Sequence, residues 1–222
     1  MRNEMLIVED LLLLMFDDTS GTIAGEGTLY YTLGGAVLVE LGVGKYIRVD
    51  ENDQGLNGLK VHAVAGDPPA DPLLRGAYQK VADRKRGVQT LLIEIGTELR
   101  ETVLERLVER GMLRQETKKT LGLFRTTATK AADTGHKEAL VETVRAVLLD
   151  GAEPDARTTA LIGLLSASGT LPNLHRSIPW SGKVYKRAKE LEKGSWGAEA
   201  VNTAVMRTVA ATSVGTAIAA TS

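Results

Sequence analysis

The chain has no cysteine, which excludes disulfides, thiolate nucleophiles and cysteine-ligated zinc. Its three histidines, His62, His136 and His175, lie too far apart in sequence for any pair to hold helical metal-ligand spacing. No metal and no cofactor are therefore expected. Phe, Trp and Tyr together make up 4% of the residues, so a core has to be built from Leu, Val, Ile and Ala. An excess of one charge is lacking too. With 27 Lys and Arg against 28 Asp and Glu the net charge is -1. No global field draws nucleic acid or an anionic membrane, and any such attraction has to come from a local patch; nucleic acid is not an expected partner. No apolar run reaches the about 20 residues that crossing a bilayer takes. The run at 11–16 follows Glu4, Glu9 and Asp10, whereas a signal peptide has a basic start and a longer apolar stretch. A cytoplasmic protein is expected.

Catalytic constellations are equally scarce. Gly25-Glu26-Gly27 lacks the third glycine and the preceding strand of a dinucleotide fingerprint, and Gly42-Val43-Gly44-Lys45 lacks the spacing and the hydroxyl residue of a phosphate-cradling loop. There is no nucleophile elbow. Asp17 and Asp18 are neighbours in a turn and read as solvated carboxylates. No residue is assigned a catalytic role, and the chain is not expected to be an enzyme.

What is present is helix. Residues 33–41, LGGAVLVEL, are apolar on nearly every face, which predicts a helix buried at the centre of a domain. Gly34 and Gly35 allow close packing there, and Gly42 and Gly44 end the run. The remaining elements have to wrap this segment. The spacing predicts an amphipathic helix over 6–16 with Glu9 and Asp10 on its outer face, and a strand at 45–49. A hairpin turn is expected at 52–58, with a partner strand at 59–64 that leaves His62 facing water. Prolines at 68, 69 and 72 exclude helix until Asp67 or Asp71 caps the next one. That helix ends in Arg84-Lys85-Arg86, read as solvated. Residues 88–110 form the longest helical pattern, weakened at Gly96, with Arg and Glu along a solvent face. Arms of a short hairpin at 112–114 and 121–125 follow, then helices over 136–149, 155–168, 184–193 (strongly basic) and 198–211. With 43% apolar residues among 222, this is a mainly α chain, read as a single domain over 1–222: a buried central helix bundle surrounded by amphipathic helices, plus small β-hairpins.

Five blocks, taken in order, resemble the Golgi phosphoprotein three-like family, which includes bacterial, mostly actinobacterial, members. They are VEDLLLL at 8–14, LGGAVLVEL at 33–41, the stretch from Leu99-Arg100 through LVERGML at 107–113 to Leu123-Phe124, ALIGLLSAS at 160–168 and KRAKEL at 186–191. The resemblance implies a helical domain with a protruding β-hairpin and no enzymatic activity. Its eukaryotic members are peripheral membrane adaptors that bind the head group of phosphatidylinositol 4-phosphate. Several converging cations suit a phosphate, and arginine offers a planar fork.

Carried over position by position, the tryptophan of that head-group site falls at Gly25 and its first arginine at Gly34. Its two basic residues on the long helix fall at Thr97 and Arg100. Only Arg100 keeps a charge. The resemblance also implies membrane contact or self-association through the hairpin, here Leu121, Leu123 and Phe124, and so a homo-oligomer. The expected function is a non-enzymatic peripheral adaptor on the inner face of the membrane, with phosphoinositide or another anionic lipid and a protein as partners. The alternative is a soluble protein–protein interaction module that keeps the fold and has lost the lipid site.

Overall fold

The computed structural model describes residues 4–55, 58–120, 124–195 and 197–205. The first helix, α1 (Ile7–Met15), is buried along its whole length. Glu9 and Asp10 are 0% and 1% exposed, so the outer, solvated face expected for this helix does not exist. Burying two carboxylates is costly unless each is paired and hydrogen-bonded, and both are. Glu9 Oε1 takes Arg106 Nε at 2.9 Å and Arg110 Nε at 2.8 Å, and Glu9 Oε2 takes the Leu6 N–H at 2.6 Å. Asp10 takes Arg157 Nε at 3.0 Å and Nη2 at 2.6 Å, and His136 Nε2 lies 2.7 Å from its other oxygen.

The central helix is α2 (Leu29–Val43), with Leu33 to Leu38 buried throughout. Gly44 caps it in an ordinary helical conformation, and the positive φ of 61° that turns the chain falls on Lys45 instead. Helix α2 packs against α4 (Val88–Gly96) at backbone distance. A β-carbon on Gly34 would collide with the Leu92 carbonyl, and one on Gly96 with the Tyr30 carbonyl. Both glycines are therefore set by the approach of two backbones rather than by turn geometry.

Residues 88–110 are two helices: α4 ends at Gly96, and α5 (Leu99–Glu109) packs on α1. Arg106 and Arg110 of α5 were expected in water; they reach Glu9 instead.

Strands β1 (Ile47–Gly55) and β2 (Gly58–Ala63) form an antiparallel ladder, to which β3 (Arg86–Gly87) adds a third strand through Lys60–Gly87 and Val61–Arg86. A bulge between Asp50 and Gln54 keeps 52–54 in the strand rather than in the expected turn. His62 is half-buried, not solvent-facing, and its Nε2 is fully buried with no hydrogen-bond partner among the described residues. Helix α3 (Pro72–Asp83) is capped by Asp71, which accepts from the Leu73 N–H at 2.9 Å. The Arg84-Lys85-Arg86 cluster after it is paired rather than merely solvated, Lys85 to Asp53 at 2.6 Å and Arg86 to Glu94 at 2.8 Å.

Strands β4 (Leu113–Thr120) and β5 (Phe124–Ala131) form a two-stranded hairpin, longer than the expected arms. Helix α6 (Gly135–Arg145) continues into a π-helical turn, Ala146–Asp150. Helix α7 (Ala156–Ala167), capped by Asp155, packs on α8 (Gly182–Lys193), capped by Ser181. Residues 197–205 are helical and send Val201 against Gly35. Buried apolar residues from α1 to Val205 make one cluster, and the chain is mainly α with small hairpins.

Candidate head-group site

Arg100 sits in the first turn of α5 and is 42% exposed. Its Nε donates to Glu26 Oε1 at 2.6 Å, and Nη1 pairs with Glu101. Glu26 opens the single turn (Glu26–Thr28) that leads into α2, and Gly25 before it adopts φ 69°. Burial pulls the guanidinium pKa down, but the hydrogen bonds and charges of Glu26 and Glu101 outweigh it, and the net direction is up. Thr97 is exposed at the end of α4, where its hydroxyl donates to the Ile93 carbonyl of its own helix at 2.6 Å. The Arg100–Glu26 bond thus brings the Gly25 turn to Arg100, with Thr97 three residues before it.

Gly34 is elsewhere in character. It is buried inside the α2–α4 contact, where the Leu92 backbone fills the space a side chain would need. An anion approaching this site meets one guanidinium and two carboxylates, a local balance of one negative charge.

A family model for Golgi phosphoprotein 3 (GPP34) matches residues 7–208. The chain belongs to the GPP34 family. Comparison with curated proteins gives no match. Of the expected head-group positions Gly25, Gly34, Thr97 and Arg100, Arg100 alone carries a charge. The sequence places Arg100 and Glu101 together on a charged face of the long helix, and the structure pairs them. Glu26 lies 74 residues away and left no local signal.

Two further groupings bear on ligand chemistry. A cleft of about 520 Å³ runs between α3 and α5, lined by Leu73, Lys80, Glu98, Glu105, Arg106 and Glu109 among others. Its cations are committed: Lys80 donates to the Glu94 carbonyl at 2.6 Å, and Arg106 is held by Glu9 and by Asp71 at 2.8 Å. Carboxylates outnumber cations on its walls, which disfavours an anionic ligand. On the three-stranded sheet, Asp50, Asp53 and His62 bring potential metal-ligating atoms within 4.8 Å of one another. The Lys85 ammonium reaches that cluster, and its hydrogen bond is the chief cause holding the Asp53 carboxyl below its usual pKa.

In the β4–β5 hairpin the Phe124 backbone pairs with Thr120, while Leu121 and Leu123 lie outside the described residues. No helix among the described residues is long and apolar enough to cross a membrane.

Proposed function

We propose that the chain is a non-enzymatic peripheral adaptor that binds anionic lipid head groups at the cytoplasmic face of a membrane. One observation carries the reading: the GPP34 model matches nearly the whole chain, residues 7–208. The geometry at Arg100 sets its character. A single arginine shared with Glu26 and Glu101 gives weak, salt-sensitive contact, not the multidentate grip that holds a phosphoinositide.

Flotation of the full chain with phosphatidylcholine vesicles, plain or doped with phosphatidylglycerol or phosphatidylinositol 4-phosphate, tests this. Binding to the doped vesicles at low salt, weakened by added salt, is the expected result. No flotation at low salt overturns the reading.

The second reading is a soluble protein–protein module on the same fold, and one observation favours it: the Arg100 charge is already met inside the chain. A stable protein partner, retained in detergent by a chain that does not float, would select it.

A further inference from the structure

A local excess of positive charge lies on α8, far in sequence from Arg100. Residues 180–193 carry five basic side chains, Lys183, Lys186, Arg187, Lys189 and Lys193, against Glu190 and Glu192, in a chain whose net charge is -1. The helix is sharply divided. Val184, Ala188 and Glu192 form its buried line, spaced four residues apart. At 3.6 residues per turn, Lys186 and Lys193 fall on the opposite side, and Lys189 flanks the buried line.

The pairing of these charges is uneven. Lys189 is spent on the buried Glu192 at 2.6 Å, and Arg187 faces Glu190 at 3.5 Å. Lys186 and Lys193 are exposed and form no ion pair among the described residues. Lys183 donates to the Leu149 carbonyl at 2.8 Å, which fixes its position without neutralising it. A cleft of about 200 Å³ opens beside it, with Val147, Leu148, Lys183, Lys186, Arg187 and Glu190 on its walls. That volume suits a phosphate group, and three cations border it.

Beside the N-terminus of the same helix stand Trp180 and Tyr185, 45% and 52% exposed, in edge-to-face contact with ring centres 6.2 Å apart. Two large aromatic rings left in water next to a row of lysines are not explained by packing. Trp and Tyr, apolar in body and polar at the tip, settle at the boundary between head groups and acyl chains. A basic amphipathic helix with such rings at its edge is suited to lie on an anionic bilayer.

We propose that this face of α8 is a docking surface for an anionic bilayer, separate from the Arg100 site, with lipid phosphates in the cleft at Lys183, Lys186 and Arg187 and with Trp180 and Tyr185 in the interfacial zone. The spread of the lysines favours a fluid lipid surface over an acidic protein, which would need fixed partners for each. The proposal rests on the membrane reading above and adds the element that makes the contact.

The test is flotation with phosphatidylcholine vesicles containing phosphatidylglycerol, using the full chain, the pair Lys186→Ser/Lys193→Ser, and Trp180→Ser. All three positions are exposed, and circular dichroism and a thermal melt verify that the variants fold as the parent. The lysine pair is expected to weaken binding about tenfold or more, and Trp180→Ser to weaken it several-fold. Brominated lipid should quench the tryptophan emission of the parent far more than that of Trp180→Phe.

Variants that float as well as the parent would overturn this proposal and leave the membrane reading standing. A parent that does not float overturns both. Variants that float normally but lose an acidic protein partner would make the face a protein dock, and the proposal would again fail.

Discussion

Glu9 and Arg106 meet at 2.9 Å across 97 residues of sequence, and Arg106 continues to Asp71 at 2.8 Å. One guanidinium thereby ties the first helix, α5 and the N-cap of α3 together. One residue further along α1, Arg157 ties α7 to the same helix through Asp10. A helix that looks greasy in sequence is in effect a buried rod carrying two charges, and the outer elements are held to it by arginines.

Removing the Glu9 carboxylate should therefore cost more than an ordinary surface ion pair. Glu9→Ala leaves Arg106 and Arg110 facing a dry site and the Leu6 N–H without its acceptor. A loss of about 3–5 kcal/mol is expected, read as a lower urea midpoint. Arg110→Ala should cost clearly less, because Arg106 still meets the charge. Equal losses in the two variants would show that the network does not act as described.

The two helical glycines at 76 and 96 should respond in opposite ways. A β-carbon at Gly96 meets the Tyr30 carbonyl, whereas one at Gly76 in α3 meets nothing within 4 Å. Gly96→Ala forces α2 and α4 apart and should destabilise by about 1–3 kcal/mol or more. Gly76→Ala gains helix propensity and should stabilise by about 0.5–1 kcal/mol. Thermal melts of the two single variants decide it.

Glu26 competes with any anion for Arg100. Glu26→Gln removes one of the two carboxylates on that guanidinium, so low-salt binding to vesicles containing phosphatidylinositol 4-phosphate should rise several-fold. Arg100→Ala should lower it while hardly changing stability, since exposed pairs contribute about 0–1 kcal/mol. If Glu26→Gln leaves vesicle binding unchanged, Arg100 is not part of a lipid site.

The central helix was legible because an all-apolar run with paired glycines has few other solutions, and the glycine and cap signals at Gly44 and Asp71 gave its end and the start of α3; the caps at Asp155 and Ser181 were not read. What could not be read was direction. Periodicity says that Glu9 and Asp10 are polar, not that arginines 97 and 147 residues away will follow them inside. Likewise the glycine at 96 was legible as a weak point, but not that the Tyr30 backbone would fill the space beside it. At the candidate site, Arg100 was found by its place in a family block, while one of its two charged partners, Glu26, came from another part of the chain. Trp180 read as part of a loop; only the fold sets it against Tyr185 on the exposed side of a basic helix.

Glu40 gives the chain a pH dependence of unusual sign. Burial raises its pKa above the ordinary value of 4.5, opposed by the Ile7 N–H and by Arg157, and reinforced by the charges of Asp10 and Glu9. Below 4.5 the carboxyl is protonated in both folded and unfolded chains and contributes no difference. As pH rises past that value the unfolded chain ionises first, and stability falls until the folded group also loses its proton. Acidification toward pH 4.5 therefore regains stability through this residue, opposite to a carboxylate whose folded pKa is lowered. Glu40→Gln keeps an oxygen able to accept from the Ile7 N–H but cannot titrate. The difference in unfolding free energy between parent and variant should thus shift in the parent's favour as pH falls from neutral, measured by urea unfolding at several pH values. A difference that stays flat with pH, or shifts toward the variant, would mean that burial does not govern this carboxyl.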